Sequence, residues 1–385
     1  MSSSTVDQVL TDAVRAGDVP NVVALAADRD GVVYEGAAGP RAAGGSAEIG
    51  PDSLLRIASM TKMVTTVAAL QQMERGVLEL DAPVDAYLPE FADIQVLEGF
   101  DGDTPKLRPA GARATVRQLV THTAGLGYWF FNDQLVRWED VTGTPNVLSG
   151  SGAVFTAPLV ADPGTRYEYG INTDWLGKVV EATSGQSLDA YFDANILGPL
   201  GMRHTAFTLA EDRRAEVVPI HVRGEDGAWA ATDIELNQQP DWWAGGHGLY
   251  STPRDYLAFQ RTLLGGGTLG DATLLERSTV DEAFRNQIGS IDFPAEIPSA
   301  DPAATCDCNL GPGLKWGLGL LLNTQAQPGM RAAGSGAWAG LFNTHFWVDP
   351  TSGVTGAIYT QFLPFVEPPA LKMYQDFERA LYASL

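Results

Sequence analysis

Helical spacing of apolar residues over Val6 to Arg15 predicts a first helix, and the apolar-rich segments Val22 to Ala26 and Val32 to Tyr34 then read as a hairpin turning at Asp28-Arg29-Asp30-Gly31. A second helix carries Val64, Val67, Ala68, Leu70 and Met73 to a stop at Gly76. Its apolar residues are too frequent for a surface helix, so it should be buried on most sides. From Asp81 to about Leu209 helical patterns alternate with long loops, including Val116 to His122 and Asp174 to Ser184, the latter closing at Gly185. Beyond Ala244-Gly245-Gly246-His247-Gly248, the run Ser251-Thr252-Pro253 announces a helix that closes near Leu264-Gly265-Gly266-Gly267. Then the period changes: Trp316 to Leu322, Leu341 to Val348 and Val354 to Tyr359 read as strands, and Leu371 to Tyr382 returns to helical spacing.

Strands at both ends with helices between them imply one sheet built from the two chain ends, flanked by helices, and an inserted, mainly helical region. The expected division is residues 1–80 with 211–385 for the sheet part and 81–210 for the insertion, with a site in the cleft between them.

Composition narrows the function. With 385 residues, 45% of them hydrophobic, the chain can bury a large core. A net charge of −22 argues against nucleic acid or an anionic membrane surface as partner. The amino terminus has neither a basic nor an apolar targeting segment and no later run approaches a transmembrane helix, so a cytoplasmic location is expected. Cys306 and Cys308, in one Cys-Asp-Cys loop, read as free thiols, and the five histidines show no zinc-like spacing. No metal or cofactor is implied. Oligomeric state is not legible.

The candidate chemistry begins at Ser59-Met60-Thr61-Lys62, at the start of the second helix. A serine and a lysine three apart on a helix share one face, where the amine can take the hydroxyl proton, and the helix start offers free N–H groups to an oxyanion. The other four lysines follow Asp103, Trp175, Pro312 and Pro369 at that spacing, so the pair has no competitor. By itself it is equally an ordinary serine with a solvated lysine one turn on. Two further segments decide. Tyr169, on the turn made by Gly170, can project a phenol into a cleft, where it shuttles protons near neutral pH only if a cation such as Lys62 depresses its pKa from about 10. In Gly334 to Asn343, small residues lead into a strand whose Leu341 N–H can be a second oxyanion donor beside that of Ser59, with Trp338 as a wall.

Taken in order, Arg56-Ile57-Ala58-Ser59-Met60-Thr61-Lys62, Leu80-Asp81-Ala82-Pro83-Val84, Leu119-Val120-Thr121-His122-Thr123-Ala124-Gly125-Leu126, Pro163-Gly164-Thr165-Arg166-Tyr167-Glu168-Tyr169 and Gly248-Leu249-Tyr250-Ser251-Thr252 resemble the serine β-lactamase and penicillin-binding-protein superfamily. More narrowly the chain is similar to family VIII carboxylesterases, the esterase branch close to class C β-lactamases, from about Val22 to Leu381. The resemblance implies a β-lactamase-like α/β (α+β) fold with Ser59, Lys62 and Tyr169 as catalytic residues. The lysine-threonine-glycine strand motif of β-lactamases is replaced by Trp338-Ala339-Gly340, and the family's Tyr-x-Asn has Ile171 where asparagine is expected, with Asn172 one place later. An indole in place of an ammonium removes a carboxylate anchor and favours neutral esters.

The resulting expectation is a serine carboxylesterase for small, short-acyl esters. Ser59 attacks, Lys62 and Tyr169 exchange protons in an order the sequence does not decide, and the Ser59 and Leu341 N–H groups hold the oxyanion. Tyr128, Trp129, Phe130, Phe131, Trp242 and Trp243 are expected to line the pocket with Trp338, Ala339 and Gly340. His122 and His247, in glycine-bearing loops, read as anchors, His247 also bordering the pocket. The absence of any G-x-S-x-G disfavours an α/β-hydrolase triad. Three alternatives use the same groups: an acyltransferase with alcohol or amine acceptors, a weak β-lactam or amide hydrolase, and a non-catalytic sensor that keeps its acyl group.

Overall fold

The computed structural model describes residues 3–385. Its main elements, in chain order, are α1 (Ser3–Ala16), β1 (Val22–Asp28), β2 (Val32–Ala38), α2 (Thr61–Glu74), α3 (Asn172–Ser184), α4 (Pro253–Leu264), β3 (Leu314–Trp316), β4 (Leu321–Asn323), β5 (Gly336–Gly340), β6 (Thr344–Asp349), β7 (Val354–Tyr359) and α5 (Pro368–Tyr382), with shorter helices, turns and hairpins between them.

Alternation along β1 sets the layers. Val23, Leu25 and Ala27 point into one core with Phe346, Val348, Ala357 and Tyr359, while Val22, Ala24 and Ala26 point into another with Trp347, Val354 and Ile358. The first core is closed by α2 and α4, and the second by α1 and α5, which pack on each other. A strand buried on both faces has no polar side, which is why the sequence from Val22 onward reads as a continuous apolar run. The sheet is antiparallel in the order β3-β4-β5-β6-β7-β1-β2, with Val23 opposite Tyr359 and Ala339 opposite His345. Both chain ends contribute strands to this one sheet, as the sequence predicts.

Two expected strands are divided. Trp316 to Leu322 becomes β3, a turn and β4, because Gly319 takes φ +79° and lies so close to α2 that a Cβ would meet Thr66 Oγ1 at 2.6 Å. Leu341 to Val348 loses its first three residues to the β5–β6 turn, where Asn343 takes φ +60° and its amide donates to the carbonyls of Phe362 and Pro364. Leu341 is therefore a turn residue just past β5, not a strand residue. The region from Asp81 to Leu209 is mainly helices and loops but also holds a hairpin, Val96–Asp101 with Thr104–Arg108, that the periodicity does not reveal.

Helix α2 is buried along its whole length to Gln72, as expected of its composition. A two-residue ladder pairs Leu55 with Ser251 and Arg56 with Tyr250, bringing the loop of residues 244–249 onto its first turn. No described helix is long and apolar enough to cross a membrane.

Candidate active site

Ser59 sits on a tight turn, Ala58–Met60, that feeds into α2 at Thr61, so it precedes the regular helix rather than lying in it. Ala58 takes φ +43°, a conformation that costs a residue with a Cβ on the order of 1–3 kcal/mol and that clusters at functional sites. The end of β5 packs on this turn. A Cβ on Gly340 would fall 2.3 Å from the Ile57 carbonyl, so only glycine allows the approach that brings Leu341 beside Ser59. Among the described residues, neither the Ser59 nor the Leu341 N–H donates to a protein acceptor. Two open donors flanking one hydroxyl are what a developing oxyanion requires.

Lys62 is 2% exposed, and its Nζ has an acceptor for each of three protons: Ser59 Oγ at 3.1 Å, Tyr128 Oη at 2.9 Å and the Gly246 carbonyl at 2.7 Å. Burial drives its pKa down to about 7, against an opposing pull from Asp174. Asp174, on the first turn of α3, is fully buried and its pKa is raised by that burial. Its Oδ1 accepts the Gly246 N–H at 2.8 Å and its Oδ2 the Tyr128 hydroxyl at 3.4 Å. Lysine and carboxylate thus communicate through one phenol and one glycine. The sequence reading gave Asp174 no role beyond starting a helix and placed Tyr128 only as a pocket wall. A carboxylate at a helix start beside an apolar run is the one signal that marked the first, and nothing local marked the second.

Tyr169 lies with its ring centroid 4.8 Å from Lys62 Nζ and accepts a hydrogen bond from Trp338 Nε1 at 3.2 Å. Burial nevertheless raises its pKa above the ordinary phenol range. The condition for shuttling protons as a phenolate near neutral pH is not met, because desolvation of the phenolate outweighs the hydrogen bonds from Ser59 and Trp338 that favour it. Gly170 makes the placement possible. A Cβ there would lie 2.2 Å from the Leu126 carbonyl, against which the segment runs so closely that Tyr128 N–H bonds Tyr169 O at 3.1 Å. Asn172 does not reach the site. It is buried, and its amide donates to the Leu126 and Glu168 carbonyls and contacts His122 Nδ1, so both it and His122 tie the tyrosine loops together.

Two cavities meet at Ser59. The larger, of about 230 Å³, is bordered near the serine by Phe130, Phe131, Tyr169, Trp338, Ala339 and Leu341. The smaller, of about 20 Å³, is bordered by Tyr128, Trp129, Phe130, His247 and Leu341. Gly340 lines neither and serves the close approach described above. Trp242 is not at the serine either: its indole donates to the Ser151 carbonyl and packs edge-on against Phe155, and it shares with His247 a separate hollow. Cys308, an unpaired thiol pushed up to about 12 by burial, lines the larger cavity, a position the loop sequence did not suggest.

A buried serine and lysine in contact, in a cleft beside an antiparallel sheet, define the class of serine hydrolase-type enzymes, and comparison with known proteins agrees. The family model described as Beta-lactamase matches residues 6–380, and the chain belongs to that family. The Monacolin J acid methylbutanoyltransferase of Aspergillus terreus is 31% identical over 354 residues, covering 86% of this chain and 82% of that protein. The Lovastatin esterase of Penicillium rubens is 31% identical over 372 residues, covering 91% and 90%. The solved structure of unliganded Simvastatin Synthase (LovD) from Aspergillus terreus, as its selenomethionyl derivative, superposes with a TM-score of 0.85 at 28% identity, covering 100% of this chain and 99% of that one. Relatives on this side of the family are thus named esterases and acyltransferases, and the fold is β-lactamase-like.

Proposed function

We propose that the protein is a carboxylesterase for neutral esters with a short acyl group, acting through an acyl-enzyme on Ser59. The observation that carries this reading is the 3.1 Å contact between Ser59 Oγ and a lysine whose ammonium form burial disfavours. Neutral Lys62 takes the hydroxyl proton as Ser59 Oγ bonds to the ester carbonyl, and the oxyanion is held by the Ser59 and Leu341 N–H groups. When the C–O bond breaks, Tyr169, kept as a neutral phenol, donates its proton to the departing alkoxide and is reprotonated from Lys62. Water then attacks the acyl-enzyme with the same groups reversing their roles. The cavity on the Tyr128 side is far tighter than the other arm, which supports a short acyl chain. Trp338 and Ala339 border the other arm, and the one cation among the described residues that line it, Arg331, is already paired with Glu378 and so does not hold a carboxylate.

The same reading treats residues 1–80 with 211–385 as one unit and 81–210 as the other, with the cleft between them. Transfer of the acyl group to an alcohol instead of water is a second reading, favoured by the aromatic walls around Ser59 and by the relative named a methylbutanoyltransferase. Hydrolysis of p-nitrophenyl butyrate with and without an added primary alcohol, beside nitrocefin, is the test. Ester turnover far above nitrocefin turnover is expected, and butyrate appearing as a new ester identifies transfer. Undiminished ester turnover in Ser59→Ala would end both readings.

A further inference from the structure

The larger cavity does not stop at Trp338. β4 pairs with β5 only at Gly336 and Ala337, so the remainder of β5 offers a free edge, and the cavity crosses it to the other face of the sheet. There it runs beneath α5 and is bordered by His345, Phe365, Leu371 and Tyr374. The charges at this end are closed on themselves: the Arg331 guanidinium bonds both carboxylate oxygens of Glu378, at 2.9 and 2.5 Å, and the Tyr374 hydroxyl at 2.6 Å. Tyr374 Oη therefore accepts one hydrogen bond and keeps its own proton to give. His345 is 6% exposed, its ring stacks on Tyr374 at 4.8 Å, and its Nε2 has no hydrogen-bond partner among the described residues. Burial, with Arg331 nearby, holds that imidazole neutral, its pKa down to about 3. A buried imidazole nitrogen without a partner carries a desolvation cost that a ligand group would relieve.

We infer that this far compartment is a subsite for the alcohol arm of the ester, taking an extended, uncharged, mainly apolar chain that carries a hydroxyl or carbonyl group where it meets His345 and Tyr374. The inference rests on the esterase reading of Ser59 given above. It assigns the alcohol arm because Tyr169, the proton donor to the departing oxygen, borders this cavity, whereas the small cavity on the Tyr128 side suits only a short acyl group. A charged end group has no counter-ion here, since Arg331 and Glu378 already neutralise each other.

The test compares octyl butyrate with ω-hydroxyoctyl butyrate by titration of released butyric acid. The native enzyme should prefer the hydroxylated ester, and His345→Phe, which preserves the stacked ring, should lower the ratio of the two kcat/KM values about fivefold. Leu371→Trp, filling the compartment, should lower kcat/KM for both octyl esters relative to p-nitrophenyl butyrate. Ratios unchanged in both variants would overturn the subsite. Should the native chain fail to turn over p-nitrophenyl butyrate at all, the esterase reading falls, yet calorimetric binding of ω-hydroxyoctyl butyrate to Ser59→Ala protein still decides the subsite. Affinity weakened about fivefold by adding His345→Phe supports it, and equal affinity overturns it.

Discussion

Lys62 Nζ lies 2.9 Å from Tyr128 Oη, nearer than its 3.1 Å to Ser59 Oγ. The same phenol reaches Asp174, so the lysine that faces the serine is backed by a buried acid it never touches directly. Protonation of Lys62 is therefore set by three elements at once: the end of the Ser59 turn, the Tyr128 loop and the start of α3.

The pH dependence of kcat/KM should follow Lys62. Its neutral form is the base, and burial lowers its pKa to about 7, so activity should rise as pH climbs through that value. The Asp174 charge favours the ammonium, so Asp174→Asn should lower the lysine pKa further and move the acidic limb to lower pH by about one unit. Asparagine can still accept the Gly246 N–H. A limb that stays in place or moves upward would mean that another group titrates there.

Tyr128→Phe removes one of three acceptors on the ammonium and leaves Asp174 without its phenol donor. Turnover of p-nitrophenyl butyrate should fall about tenfold, the cost of one hydrogen bond to a charged group, with KM nearly unchanged. Steady-state kinetics beside a thermal melt separates this from a folding defect.

Ser59→Ala should reduce ester hydrolysis by about 10³-fold or more and abolish any acyl adduct seen by mass spectrometry on rapid quenching with substrate. The melting temperature should be nearly unchanged, because Lys62 keeps two other acceptors when the Ser59 hydroxyl is lost and Tyr169 keeps its bond from Trp338.

Gly170→Ala should destabilise the fold and the site together. The added Cβ would meet the Leu126–Gly127 backbone at 2.2 and 2.3 Å, so the Tyr169 segment must move, at a cost of about 2–4 kcal/mol. Gly185→Ala, with φ +69° but nothing near the added carbon, should cost about 1 kcal/mol and spare activity. Chemical denaturation of both variants checks the contrast.

By itself the sequence determined the local half of this protein. The apolar, β-branched run at Val354 to Tyr359 and the longer apolar-rich stretch of α2 are local consequences of burial on all sides, and their length and residue types recover strand and helix within a few residues. Ser59 and Lys62 were legible because three positions of chain join them, and Trp338 because the residue replacing a cation in an ordered motif is visible without coordinates. Where a turn depends on a partner, local reading failed: Gly319 turns because α2 lies against it, and periodicity ran through both that turn and the one at Leu341 to Asn343. Only the tertiary structure decided how Lys62 is held, since Tyr128 reaches it from 66 positions away and Gly246 from 184. It also decided that the Tyr169 pKa is raised and not lowered, and took Trp242 from the serine's pocket, because burial and proximity are properties of packed elements. A phenol's pKa is set by what excludes water from it, and no stretch of the chain around Tyr169 records that Lys62, Trp338 and Tyr128 would do so together.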